Sequence, residues 1–183
     1  NELVTDVNIS KDHVNLICVG SLVKSKGHEY LVKAVYKLNK NLGYKIRAYF
    51  IGTGRLENHL KNLVTQLELD DDIVFLGYKR NPFKYMKECD IFVLPAIWEG
   101  FGNVIVEAMV CNIPVVSTNC PSGPREIINH KINGVLAEPQ NVDSLVEAIR
   151  MLIDDQQFYK EIQERGAERA KDFEANIITR QYE

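Results

Sequence analysis

Two glutamates with seven residues between them, in the stretch EGFGNVIVE at 99–107, are the residues of this chain best placed by type and spacing to do chemistry. A carboxylate pair can move protons, cap a helix or hold sugar hydroxyls, and the surroundings choose among these. Gly100 and Gly102 bracket Phe101 where a helix should begin, and the exposed N–H groups and dipole of a helix start favour a diphosphate or sugar oxygens. Glu107 falls one to two turns inside GNVIVEAMVC, a helix apolar almost all round, where a carboxylate needs hydrogen-bond partners. A ribose diol would supply two donors to it. A capping role for Glu99 and a buried ion pair for Glu107 are the plain alternatives.

Three more loops carry polar chemistry. GSLVKSKG (20–27) puts Gly20 where backbone could approach a ligand and sets Lys26 beside a helix start, an arrangement suited to an anion or simply to a solvated turn. GTG at 52–54 invites a dinucleotide reading, but G-x-G-x-x-G needs glycine at 57, where the chain has Glu57. GYKRN (77–81) is a basic turn that could line a base or phosphate pocket or be surface charge. The four cysteines form no C-x-x-C pair and the four histidines show no metal-ligand spacing, so no metal site and reduced thiols in a cytoplasmic protein are expected.

These loops follow strand-like runs. VNLICVG, IRAYFIG, DIVFLG, DIFVLPA, PVVST and GVLAEP read as six strands, at 14–20, 46–52, 72–77, 90–96, 114–118 and 134–139. Amphipathic helices alternate with them: Leu31, Ala34, Val35 and Leu38 line one, Leu60, Leu63, Val64 and Leu67 another, Leu145, Ala148, Ile149 and Leu152 a third. Residues 156–183 read as a final helix. The pattern predicts one α/β domain over 1–183, a Rossmann-like doubly wound parallel sheet with helices on both faces, which binds ligands at the carboxyl ends of its strands. A net charge of -3 gives no reason to expect nucleic acid or an anionic membrane surface. The longest apolar run, IFVLPAIW, is far short of the ~20 residues of a membrane span. The chain starts Asn-Glu-Leu-Val, without methionine or signal peptide, and is read as a fragment or processed product.

EGFGNVIVEAMVCNIPVVSTNCPSGPREII, with GSLVKSKG, GTG, DIVFLG and DIFVLPA before it in that order, resembles the retaining nucleotide-sugar glycosyltransferases of family 4, which have the two-domain GT-B fold. The resemblance runs from about residue 14 to 175 and covers only the C-terminal, donor-binding half. It implies that Glu99 sits by the donor sugar as the catalytic-site carboxylate, that Gly100, Phe101, Gly102, Asn103 and Val104 bind hydroxyls and diphosphate, and that Glu107 holds the ribose. Gly20, Ser21 and Lys26 would meet the diphosphate, and Gly77, Tyr78, Lys79 and Arg80 the base, mostly through backbone. Where the family usually has an arginine this chain has Ser21, leaving Lys24 or Lys26 to compensate for the leaving-group charge.

The family transfers sugar with retention and without a firmly established enzyme nucleophile. The glutamates are therefore not expected to act as the close pair of a retaining glycosidase, whose carboxyl groups stand ~5 Å apart. The implied function is transfer of a hexose or N-acetylhexosamine from a nucleotide diphosphate sugar, with UDP the expected carrier, to a glycan or lipid-linked acceptor bound by the absent N-terminal domain. The 156–183 helix would pack on that domain. No cofactor or metal is implied, and the parent would work in the cytoplasm or peripherally at the cytoplasmic membrane face, in polysaccharide or glycan assembly. A nucleotide-binding module without transferase activity and a glycogen- or sucrose-synthase-like enzyme are the alternatives.

Overall fold

The computed structural model describes residues 9–173. Six strands, β1 Val14–Val19, β2 Ile46–Ile51, β3 Ile73–Gly77, β4 Ile91–Leu94, β5 Val115–Thr118 and β6 Val135–Ala137, form one sheet in the order β3-β2-β1-β4-β5-β6. Every pairing is parallel. β4 and β5 are buried along their whole length and β1 except at its ends, as expected of strands covered on both faces.

Helices α1 His28–Tyr36, α2 Glu57–Gln66 and α6 Val142–Asp154 cover one face, and α3 Phe83–Met86, α4 Asn103–Val110 and α5 Pro124–Ile127 the other. The expected apolar stripe of α6 is the one that is buried, Leu145, Ala148, Ile149 and Leu152, and Asn141 caps its start by accepting from the Ser144 N–H. Leu38 of the first stripe lies past α1, in a short stretch of wider π-type helix at Lys37–Asn41, and is fully buried.

The final helix, α7 Gln156–Ala170, starts at Asp155, whose carboxylate accepts from the Gln157 and Phe158 N–H groups. A short 3-10 turn, Lys171–Phe173, follows; the rest of the helix expected over 156–183 lies outside the described residues. α7 packs on α4 and α6 of its own domain. It passes from one layer to the other: Ile162 joins the α1/α6 core, whereas Ala170 and Phe173 join the α4 core. The helix and the turn after it therefore serve both faces of the sheet.

The strand order reverses between β1 and β4. In such a sheet the loops leaving these two strands diverge to opposite faces and open a crevice at their carboxyl ends. The loop after β1 contains Lys26, and the loop after β4 contains Glu99.

Candidate functional site

The main chains of the two loops are tied together. The Ser25 carbonyl accepts from the Ile97 and Trp98 N–H groups at 2.8 and 3.2 Å. Gly27, with φ 67°, lies so close to Pro95 that a Cβ there would stand 1.9 Å from the Pro95 carbonyl oxygen. Only glycine fits, for conformation and for space alike. It also leads directly into α1, so Lys26 is fixed at that helix's start.

Across this seam the Lys26 Nζ donates to Glu99 Oε2 at 2.6 Å. The other carboxylate oxygen accepts from the Gly100 N–H at 3.2 Å. Glu99 is buried, with 9% of its surface exposed, and its paired state meets the requirement for a carboxylate at that depth. The sequence placed Lys26 and Glu99 in separate roles; the fold joins them in one ion pair.

Gly102, with φ 88°, turns the chain into α4, and no side chain caps that helix. The Ile105 N–H bonds back to the Gly102 carbonyl at 2.8 Å, which leaves the N–H groups of the exposed Asn103 and half-buried Val104 at the helix start. Gly100 is exposed with nothing within 4 Å of a Cβ, but its N–H is taken by Glu99 and its carbonyl lies against Gly123. Phe101 instead turns inward, its ring edge-to-face with Phe173 at 5.7 Å. Of the residues expected to touch ligand here, Phe101 can contribute backbone but spends its side chain on packing.

Glu107 is half-buried on α4, and its carboxylate takes neither a hydrogen bond nor an ion pair from any described residue. Burial pushes its carboxyl pKa up. The ion pair that the sequence left open for it is not formed among the described residues. Glu99 and Glu107 do not act on each other either, since Glu99 spends its carboxylate on Lys26 and Gly100.

The turn after β3 is open. Gly77 takes φ 68° with no atom near a Cβ, and its carbonyl accepts from the Gly52 N–H at 2.9 Å. Tyr78 is 76% exposed, Arg80 is exposed, and the Lys79 ammonium lies 5.5 Å from the centre of the Tyr85 ring. Ser21 is exposed in the loop after β1, and its carbonyl accepts from Val23 N–H. Gly20 leaves room for the Lys26 stem, whose Cδ would be 3.7 Å from a Cβ at position 20.

Two segments support the site that the residue types alone did not assign to it. GTG does not cradle a ligand: a Cβ at Gly52 would be 2.1 Å from the Gly20 carbonyl oxygen and one at Gly54 2.5 Å from that of Leu22, while Leu22 N–H bonds to Thr53 O. These glycines let the β2 loop press on the β1 loop. From the other side, Ser122 Oγ lies 2.9 Å from the Glu99 carbonyl and 2.7 Å from the Pro121 carbonyl, its one proton shared between these acceptors, and Gly123 packs against the Gly100 and Phe101 carbonyls. The visible sign was the S-G-P sequence just after β5.

Residues 2–169 match the family described as Glycosyl transferases group 1. A Campylobacter jejuni N-acetylgalactosamine-N,N'-diacetylbacillosaminyl-diphospho-undecaprenol 4-alpha-N-acetylgalactosaminyltransferase is 32% identical over 90% of the chain and 44% of its own length. HepE of Anabaena, crystallised with UDP, superposes with a TM-score of 0.83 at 27% identity, over 93% of this chain and 48% of that one. The C-terminal domain of a group 1 glycosyl transferase (LpcC) from Francisella tularensis gives 0.76 at 26% identity, over 87% and 86%. The chain spans about half the length of the curated relatives it matches. Its sheet order and this match over nearly all of its residues agree, and the chain belongs to the group 1 glycosyl transferases.

Proposed function

We propose that this chain is the donor-binding, C-terminal half of a retaining family 4 glycosyltransferase that moves a hexose or N-acetylhexosamine from a nucleotide diphosphate sugar, with UDP as carrier. The observation that carries the reading is the unpartnered, half-buried Glu107 carboxylate one helix turn below an uncapped helix start. A ribose diol gives that carboxylate two donors, and the diphosphate then lies at the first turn of α4 and near Lys26. Gly77–Arg80 would meet the base through backbone, in the open turn after β3.

Within this reading the work of the domain is positioning and charge. The α4 N–H groups and Lys26 stabilise the negative charge that grows on the departing diphosphate, where fixed donors act without reorganising. Glu99 faces the sugar. No enzyme nucleophile is assigned.

UDP as carrier draws support from HepE, which has been crystallised with UDP, with UDP and glucose, and with UDP-glucose. A lipid-linked acceptor, and with it work at a membrane face in glycan assembly, draws support from the diphospho-undecaprenol substrate in the name of the Campylobacter jejuni relative. No helix among the described residues is long and apolar enough to cross a membrane, so attachment would be peripheral or through other parts of the protein. The C-terminal assignment draws support from the Francisella tularensis domain, which the chain covers almost end to end.

Calorimetry of the chain against UDP, GDP, ADP and their sugars tests the reading. UDP and a UDP-sugar should bind, and Glu107→Gln should weaken both. Absence of binding to all three nucleotides would overturn it.

A further inference from the structure

The ammonium expected to meet the diphosphate and the carboxylate expected to meet the sugar are bonded to each other, at 2.6 Å. Glu99 Oε1 is taken as well, by the Gly100 N–H, so a sugar hydroxyl finds neither oxygen free of a donor. The main chain that carries them is tied down on both sides of the pair. Ser25 O holds Ile97 and Trp98, and Gly27 is wedged against Pro95. What can move is the lysine stem, which lies along Gly20 on four flexible carbons and carries three rotatable donors.

We propose that the Lys26–Glu99 ion pair is a placeholder that links the diphosphate and sugar subsites, rather than a structural bridge. Bonded together, each group satisfies the other. On loading, the diphosphate draws the Lys26 ammonium away and the sugar hydroxyls take its place on Glu99. This rests on the donor-binding reading above.

The exchange has a consequence for order. A free nucleoside diphosphate takes Lys26 but supplies nothing to Glu99, which is then left charged, unpaired and nearly buried beside another anion. That state is costly, because removing one partner of a sheltered pair leaves an uncompensated charge. A nucleotide sugar supplies both replacements. After transfer the carboxylate reclaims the ammonium, and the same pair favours departure of the nucleotide product. By linkage, sugar and diphosphate each strengthen the other's binding.

Calorimetry with UDP, GDP and ADP in turn on wild type, Glu99→Gln, Lys26→Met and the double variant tests this. For the nucleotide that wild type binds, Glu99→Gln should bind about tenfold tighter, the effect of removing a competing charged partner. Lys26→Met should bind more weakly, and in that background Glu99→Gln should gain much less. The nucleotide sugar should show a smaller gain than the free nucleotide. In unaltered protein, NMR of lysine side chains should show the Lys26 resonance shifting as nucleotide is added, a readout that survives if a variant misfolds.

Weaker nucleotide binding by Glu99→Gln would overturn the proposal, since Glu99 would then be orienting Lys26 for the phosphate. Unchanged binding, or a Lys26 resonance indifferent to bound nucleotide, would overturn it by showing independent subsites. If no nucleotide binds any variant, the donor reading itself fails and the placeholder with it.

Discussion

Glu107 and His28 are the residues whose surroundings say most about pH and ligand. A carboxylate that accepts two ribose hydroxyls makes Glu107→Gln cost about 1.5–3 kcal/mol in nucleotide binding. The same substitution should stabilise the empty domain. Burial raises the Glu107 pKa in the folded state, so the folded form is favoured below the unfolded carboxyl pKa and loses that advantage as pH rises through the folded value. Glu107→Gln should therefore melt higher than wild type at pH 7 and no higher below pH about 4. Equal melting temperatures at neutral pH would mean that burial does not strain this group.

His28 works in the opposite direction. It is 2% exposed, neither ring nitrogen has a hydrogen-bond partner, and its edge packs on Phe50 at 5.2 Å. Burial, reinforced by the Lys26 charge, lowers its pKa from 6.5 to about 4. The unfolded chain binds the proton first, so stability is intact above the unfolded pKa and falls as pH drops through the window from 6.5 towards 4. The loss approaches roughly 3 kcal/mol. Denaturation at a series of pH values should show this slope in wild type and a much flatter one in His28→Leu.

At the scale of elements, the glycines divide by what surrounds them. Gly52 and Gly77 both have positive φ, 140° and 68°, yet a Cβ at Gly52 would strike the Gly20 carbonyl oxygen at 2.1 Å whereas one at Gly77 meets nothing. Gly77→Ala should cost about 1 kcal/mol, the conformational penalty alone. Gly52→Ala must also part the β1 and β2 loops and should cost roughly 3 kcal/mol or more. It should disturb nucleotide binding too, because the β1 loop carries Lys26. Urea denaturation of the two variants checks the ranking, and equal costs would show that the loop contact is slack. A smaller effect is expected at α7, where Asp155→Ala removes two capping hydrogen bonds and should cost about 1 kcal/mol.

For the whole molecule, the sheet has helices packed on both faces and α7 spans the two cores, so unfolding should be one cooperative transition. Purified 1–183 should fold and bind nucleotide while failing to transfer sugar, because an acceptor site lies outside it in the proposed architecture. Robust transfer from a UDP-sugar to a lipid or saccharide acceptor by this chain alone would contradict that division of labour.

Local pattern was enough for much of this. The strands are short apolar runs whose burial on two faces forbids alternation, and the α6 stripe repeats with the helix period, so both could be read in one dimension. Gly102 was legible as a helix entry because its neighbours on both sides declared a loop and a helix. The three-dimensional partners were not legible. Lys26 and Glu99 are separated in the chain by three strands and their crossovers, and only the β1–β4 adjacency brings them within 2.6 Å. Gly52 and Gly54 looked like an incomplete phosphate loop, and only the close backbone approach to Gly20 and Leu22 gives them their use. Phe173, in the turn after α7, lies against Phe101 of the site loop, a contact that no local pattern announces. The sequence by itself determined which residues could carry charge and where chain segments turn, since both depend on near neighbours; strand order alone decided which of those residues meet, since that depends on loops far apart in the chain closing on one crevice.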